Sequence, residues 1–111
     1  TAVAGEADEH WLVLGDMAEL GAEAEALHAQ AGRAARERGF QRVYGLGPIS
    51  AVACSAFGDG AEHHDDIDSL LASLQRAVSG CDQPVVVLVK GSRSMRMERV
   101  VAALGPAGEL G

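Results

Sequence analysis

Lys90-Gly91-Ser92-Arg93 gathers the residues of this chain best suited to holding a ligand. An ammonium, a flexible glycine, a hydroxyl and a guanidinium in four consecutive positions favour an anion, either a phosphate or a carboxylate. The neighbours sharpen this reading. Val85-Val86-Val87-Leu88-Val89 precedes the turn as a continuous apolar run, the pattern of a parallel strand covered on both faces. After it, Ser94 can cap a helix that buries Met97, Val100, Val101 and Leu104. The turn is thus expected at the carboxyl end of a strand and the start of a helix, where open α/β sheets bind ligands. A plain basic surface turn is the alternative. Position favours binding for Lys90, Ser92 and Arg93, with Arg96 and Arg99 exposed or paired with nearby acids.

A second polar turn is Gly15-Asp16-Met17-Ala18-Glu19-Leu20-Gly21. Asp16 either satisfies local backbone donors or contacts a ligand or a metal-bound water, and the turn alone leaves both open. Glu19 reads as a solvated residue at a helix start.

Three other groups carry chemical residue types and weaker patterns. Gly45-Leu46-Gly47-Pro48-Ile49-Ser50 resembles half a dinucleotide fingerprint, but Ser50 stands where the third glycine belongs and Pro48 interrupts it. A turn with a helix start is the better reading. His63-His64-Asp65-Asp66 has a metal-like composition. Adjacent strand residues face opposite ways, so a strand end followed by an N-cap is expected instead. His28 lies mid-helix beside an apolar stripe and reads as packed or half-exposed, with a reach into the crevice as the alternative. The chain contains no G-x-x-x-x-G-K-[ST] loop, no zinc spacing and no G-x-S-x-G elbow.

These turns need elements to hold them. A first strand is expected over His10–Leu14. A helix follows from about Ala22 to Arg38, with a core stripe of Leu20, Ala24, Leu27, Ala31 and Ala34 and with Gly39 as its C′ residue. Phe40–Leu46 is a second strand, and Pro48 at N1 opens a short helix to about Phe57. Ala61–His64 is a weak third strand. Asp65 or Asp66 caps a helix with apolar residues at Ile67, Leu70, Leu71, Leu74 and Val78. Pro84–Val89 is the fourth strand, and Gly105-Pro106 ends the last helix. Such alternation predicts a Rossmann-like, doubly wound α/β fold, with a mostly parallel sheet and helices on both faces. In the order 3-2-1-4, strands one and four are central neighbours, and the two polar turns share one rim at the point where the winding reverses. Residues 1–9 read as a linker and 10–111 as one domain.

Composition narrows the partners. The chain has 111 residues and 4% aromatics, so its core must rely on Ala, Val and Leu. A net charge of −7 argues against nucleic acid and acidic membranes as general partners. No apolar run reaches membrane-spanning length, and no signal peptide is visible. Cys54 and Cys81 lack redox or metal spacing and suit free thiols in a reducing cytoplasm. The chain begins at Thr1, not Met, and is expected to be a piece of something longer.

Val13-Leu14-Gly15-Asp16-Met17-Ala18-Glu19-Leu20-Gly21, then His28, then Leu88-Val89-Lys90-Gly91-Ser92-Arg93-Ser94 with Met97-Glu98, resemble in order and spacing the carboxyl-terminal domain of the MurF family of Mur ligases. The match runs over roughly residues 10 to 104. The resemblance implies a three-domain, ATP-dependent ligase of peptidoglycan synthesis that joins D-alanyl-D-alanine to UDP-N-acetylmuramoyl-tripeptide. The tripeptide carboxylate becomes an acyl phosphate, and the dipeptide amine then displaces phosphate. ATP and Mg2+ would be held mainly by a central domain outside this chain, so the chain alone is expected to be inactive. By the same resemblance, Lys90, Gly91, Ser92 and Arg93 match the turn that faces the incoming residue, with Arg93 on the dipeptide carboxylate and Ser92 assisting. Gly15, Asp16 and Met17 would line the closed active site. His28 matches a common family histidine whose role the sequence does not give. Two other classes remain open: a stand-alone anion- or nucleotide-binding module, and a receiver-type domain with Asp16 as phosphoacceptor and Lys90 as its lysine.

Overall fold

The computed structural model describes residues 9–17, 22–82, 84–91 and 96–104. Four strands and four helices alternate: β1 (Glu9–Gly15), α1 (Ala24–Glu37), β2 (Arg42–Leu46), α2 (Ser50–Phe57), β3 (Ala61–His64), α3 (Ile67–Gly80), β4 (Val85–Lys90) and α4 (Glu98–Leu104). The sheet order is β3-β2-β1-β4, and every pairing is parallel. The α/β fold expected from the sequence is therefore the one observed.

Period-two alternation along β1 divides the core. Trp11 and Val13 join Tyr44, Leu46, Leu70, Leu74, Val87, Met97 and Val100 on the face covered by α3 and α4. Leu12 and Leu14 join Val43, Ala35, Ala53, Cys54 and Phe57 on the face covered by α1 and α2. The α3 stripe behaves as its periodicity predicts: Leu70 and Leu74 are fully buried, and Ile67, Leu71 and Val78 pack around them. Asp66 caps this helix by accepting the Ser69 amide at 2.9 Å.

Several expectations need correction. Glu9 is not linker; its amide donates to the Pro84 carbonyl and it pairs with Val85 as the first residue of β1. β4 is a neighbour of β1, as expected, but it is an edge of the described sheet, not a central strand. Only Val87 of β4 is fully buried, because no strand pairs with its outer side in the described residues and its Leu88 face borders a groove. The buried line of α1 is Ala24, His28, Gly32 and Ala35, with Leu27, Ala31 and Ala34 flanking it. Gly32 sets this rotation: a Cβ there would collide with the Ala53 carbonyl oxygen, so the glycine lets α1 and α2 approach at backbone distance.

Other helix ends follow from backbone accounting. Gly39, at φ +85, closes α1 as the sequence predicts. The Phe40 amide donates to the Ala35 carbonyl in that closure, so β2 starts later than expected, at Arg42. Arg96 has φ +52, which is incompatible with a continuous helix from residue 95, and α4 starts at Glu98. The Ser94 cap, Leu20 and the stop at Gly105-Pro106 lie outside the described residues.

Candidate functional site

The parallel pairing of β1 and β4 puts their carboxyl ends on one rim, with Leu14 in register with Lys90. Beyond that pair the two backbones stay close over Met97, which is 7% exposed. A Cβ on Gly15 would lie 2.7 Å from the Met97 sulfur, and one on Gly91 would lie 2.7 Å from Met97 Cγ and 3.3 Å from Gly15 Cα. Two glycines thus let a helix side chain sit beneath both turns at once. Of the turn residues singled out, Gly15, Asp16, Met17, Lys90 and Gly91 are described; Ser92 and Arg93 lie outside the described residues.

Lys90 and Gly91 are exposed. The Lys90 stem borders a groove of about 180 Å³ that runs past Met17, Leu12, Leu14 and Leu88 to Arg38. Apolar walls with an ammonium at the rim can keep the amine in water while its stem covers carbon. Arg96 reaches Glu98 at 4.0 Å with both side chains exposed, as expected, whereas Arg99 is half-buried and its Nε donates to the Arg96 carbonyl.

Asp16 is arranged differently. It is 7% exposed, and three donors converge on its carboxylate. The Ser50 amide and hydroxyl donate to Oδ1 at 2.8 and 2.9 Å, and the Ile49 amide donates to Oδ2 at 3.2 Å. Ile49, at the cap position of α2, offers no side-chain oxygen, so Asp16 caps the helix across a separation of 34 residues. The sequence reading had Pro48 at N1. Instead Gly47, at φ +104, begins a turn and the helix starts at Ser50, which places the Ile49 and Ser50 amides on Asp16. β2 and β4 flank β1 on opposite sides, so a carboxylate bonded to the segment after β2 points away from Lys90. Of the two open readings for Asp16, this geometry supports the satisfaction of backbone donors, although those donors are distant in sequence. It also removes the carboxylate–lysine pairing that a receiver-type site needs.

His28 is 0% exposed. Its Nδ1–H donates to the Ala24 carbonyl at 2.6 Å, and Nε2 accepts the Met17 amide at 3.2 Å. It is a packed histidine that also touches the rim turn.

The sequence reading weighed Gly47 and Ser50 as part of a half-fingerprint and His63 as part of a metal-like run, and gave none of them a role at the rim. Ser50 is fully buried against Asp16. His63 Nε2–H donates to the Gly47 carbonyl at 2.7 Å and braces the same turn from β3. The half-fingerprint glycine at Gly47 was the one available signal. His64 goes its own way, to Ser69 and Glu62, so the two adjacent histidines do not converge. Among the described residues no group of three His, Cys, Asp or Glu could hold a metal ion. Among them, too, no helix is long and apolar enough to cross a membrane.

Comparison with known proteins gives the family. The model of the Mur ligase glutamate ligase domain matches residues 1–93. The UDP-N-acetylmuramoyl-tripeptide–D-alanyl-D-alanine ligase of Escherichia coli (strain K12) is 48% identical over 93 residues, covering 84% of this chain and 20% of that protein. The ligase of the same name from Haemophilus influenzae is 35% identical over 97 residues, covering 84% of this chain and 21% of that protein. Among solved structures, MurF from Acinetobacter baumannii aligns with a TM-score of 0.76 at 24% identity, over 93% of this chain and 24% of that one. MurF from Thermotoga maritima in complex with ADP aligns at 0.68 and 24%, over 86% of this chain and 21% of that one. The chain thus spans about a fifth of the length of the curated relatives it matches. Sequence match and shared architecture agree, and the chain belongs to the Mur ligase family as its carboxyl-terminal, glutamate ligase domain.

Proposed function

We propose that this domain serves an ATP-dependent ligase of peptidoglycan synthesis that joins D-alanyl-D-alanine to UDP-N-acetylmuramoyl-tripeptide in the cytoplasm. The observation that carries the reading is the 48% identity to the E. coli ligase of that name, over 84% of this chain. In this reading the domain closes over a nucleotide site built elsewhere in the longer protein and presents the dipeptide. ATP supplies the phosphoryl group that activates the tripeptide carboxylate, and Mg2+ belongs to the residues that hold ATP.

The Lys90–Arg93 turn is the dipeptide side of that site. The Arg93 guanidinium pairs the D-Ala-D-Ala carboxylate in a two-bond fork, Ser92 adds a hydroxyl donor, and Lys90 contributes positive charge at the rim. Orienting the dipeptide by its carboxylate end leaves its amine free to attack the acyl phosphate. Gly15, Asp16 and Met17 line the site by shaping its neighbouring wall.

Steady-state kinetics on the longer enzyme tests this. Arg93→Ala should raise the apparent KM for D-Ala-D-Ala more than that for ATP, at a cost of about 2–4 kcal/mol in kcat/KM. Arg93→Lys should also be impaired, because a point charge cannot copy the fork. An unchanged dipeptide KM with lost thermal stability would make Arg93 a structural anchor instead.

A further inference from the structure

We propose that His28 is the positioning residue of the turn after β1, acting as a neutral imidazole with its proton on Nδ1. The hydrogen bonds define this form. The Ala24 carbonyl can only accept, so the 2.6 Å contact places the proton on Nδ1. Nε2 is then the acceptor that the Met17 amide requires at 3.2 Å. The ring is fully buried, so no water stands in for either partner.

The two bonds join the two ends of one connection. Met17 is the second residue after β1, and Ala24 is the first residue of α1. The imidazole therefore fixes the distance from the strand end to the helix, whatever path the chain takes between them. Asp16 is held from the other side by Ile49 and Ser50. Adjacent residues are thus gripped by different helices, Asp16 by α2 and Met17 by α1. Asp16 and Gly47 settle the turn on the β2 side, while His28 alone among the described residues bonds the Met17 amide on the side of the groove that Met17 and Lys90 both line. An Nε2-protonated ring would oppose one N–H to another at Met17 and release that side only.

For the reaction, this role rests on reading the rim as the ligand side of a ligase, and the test separates the two. In the chain, long-range proton–nitrogen NMR of the neutral ring should show a pyrrole-type Nδ1 and a pyridine-type Nε2 for His28. Two variants probe the halves of the ring. The Gln oxygen in His28→Gln reaches the Nε2 position and can still accept from Met17, whereas the Asn amide in His28→Asn reaches only the Nδ1 position. Hydrogen exchange at the Met17 amide should stay within about threefold of wild type in His28→Gln and speed up by about tenfold or more in His28→Asn. In the longer enzyme, His28→Asn should raise the dipeptide KM with the His28→Gln value near wild type. The opposite tautomer in wild type, or equal Met17 exchange in the two variants, overturns the proposal even if neither is active. Normal dipeptide KM in His28→Asn beside fast Met17 exchange overturns its role in the reaction. Absence of dipeptide ligation by the wild-type longer enzyme would instead overturn the ligase reading, and the NMR result would still decide the positioning role.

Discussion

The turns after β1 and β4 leave paired strands at the same rim, and their polar residues do opposite work. After β1, Asp16 faces inward and caps α2, while Met17 is tied to a buried histidine. After β4, Lys90 and Gly91 are exposed, and Gly91 leaves space for Met97. Chemical residue types at one rim therefore do not share one role. A carboxylate with three donors is already satisfied, whereas an exposed ammonium over an apolar groove is available to an anion.

The sharpest way to break this contrast is through its glycines. Gly47→Ala should cost about 3–4 kcal/mol, because it adds left-handed strain to displacement of the Asp16 carboxylate. The backbone there has φ +104, and the new Cβ would stand 2.6 Å from Asp16 Cγ. After β4, Gly91→Ala should cost less, about 1–2 kcal/mol, because it adds no left-handed strain and crowds only Met97 Cγ, at 2.7 Å, and the Gly15 backbone, at 3.3 Å. Urea titrations of both variants measure the two costs, and equal losses would mean that the β4 turn is built as rigidly as the contact between Asp16 and the segment after β2.

A second carboxylate sharpens the comparison further. Glu62 on the edge strand β3 also bonds within the fold, to Ser73 and His64, but its side chain is 45% exposed. Burial pushes its carboxyl up, yet the hydrogen bonds from Ser73 and His64 and the charges of His64 and Arg42 outweigh this and hold it below the ordinary value of 4.5. A depressed folded value means that its contribution is present above the unfolded value and is lost as pH falls through the folded one. Glu62→Gln should therefore lower stability slightly at neutral pH, where the ionised carboxylate contributes, and the gap to wild type should close as pH falls below 4.5. Thermal melts at stepped pH check this; a large neutral-pH loss would place Glu62 with Asp16.

What the sequence made legible was local. The strand at the Val-rich run of β4, the Ile67–Val78 stripe, the Asp66 cap and the Gly39 stop depend on neighbours within a few positions and are all observed, although β4 is not covered on both faces as its run suggested. The strand order follows because alternating elements leave few ways to wind a parallel sheet. The misreadings concern contacts that sequence spacing does not encode. The α1 stripe rotates by one position because Gly32 meets Ala53 and His28 meets Met17. Asp16 has its partners beyond β2, where Pro48 had suggested a self-sufficient helix start. The exposure of β4 depends on which strands lie beyond it, and its own residues do not report that.

Equilibrium unfolding of Asp16→Ala beside Lys90→Ala tests the central contrast most directly. Asp16→Ala leaves the Ile49 amide and both Ser50 donors without their acceptor and should cost about 2–3 kcal/mol. Lys90→Ala removes an exposed charge and should stay within about 0.5 kcal/mol of wild type. An Asp16→Ala curve that overlays wild type, or a Lys90→Ala loss as large as that of Asp16→Ala, would contradict the account.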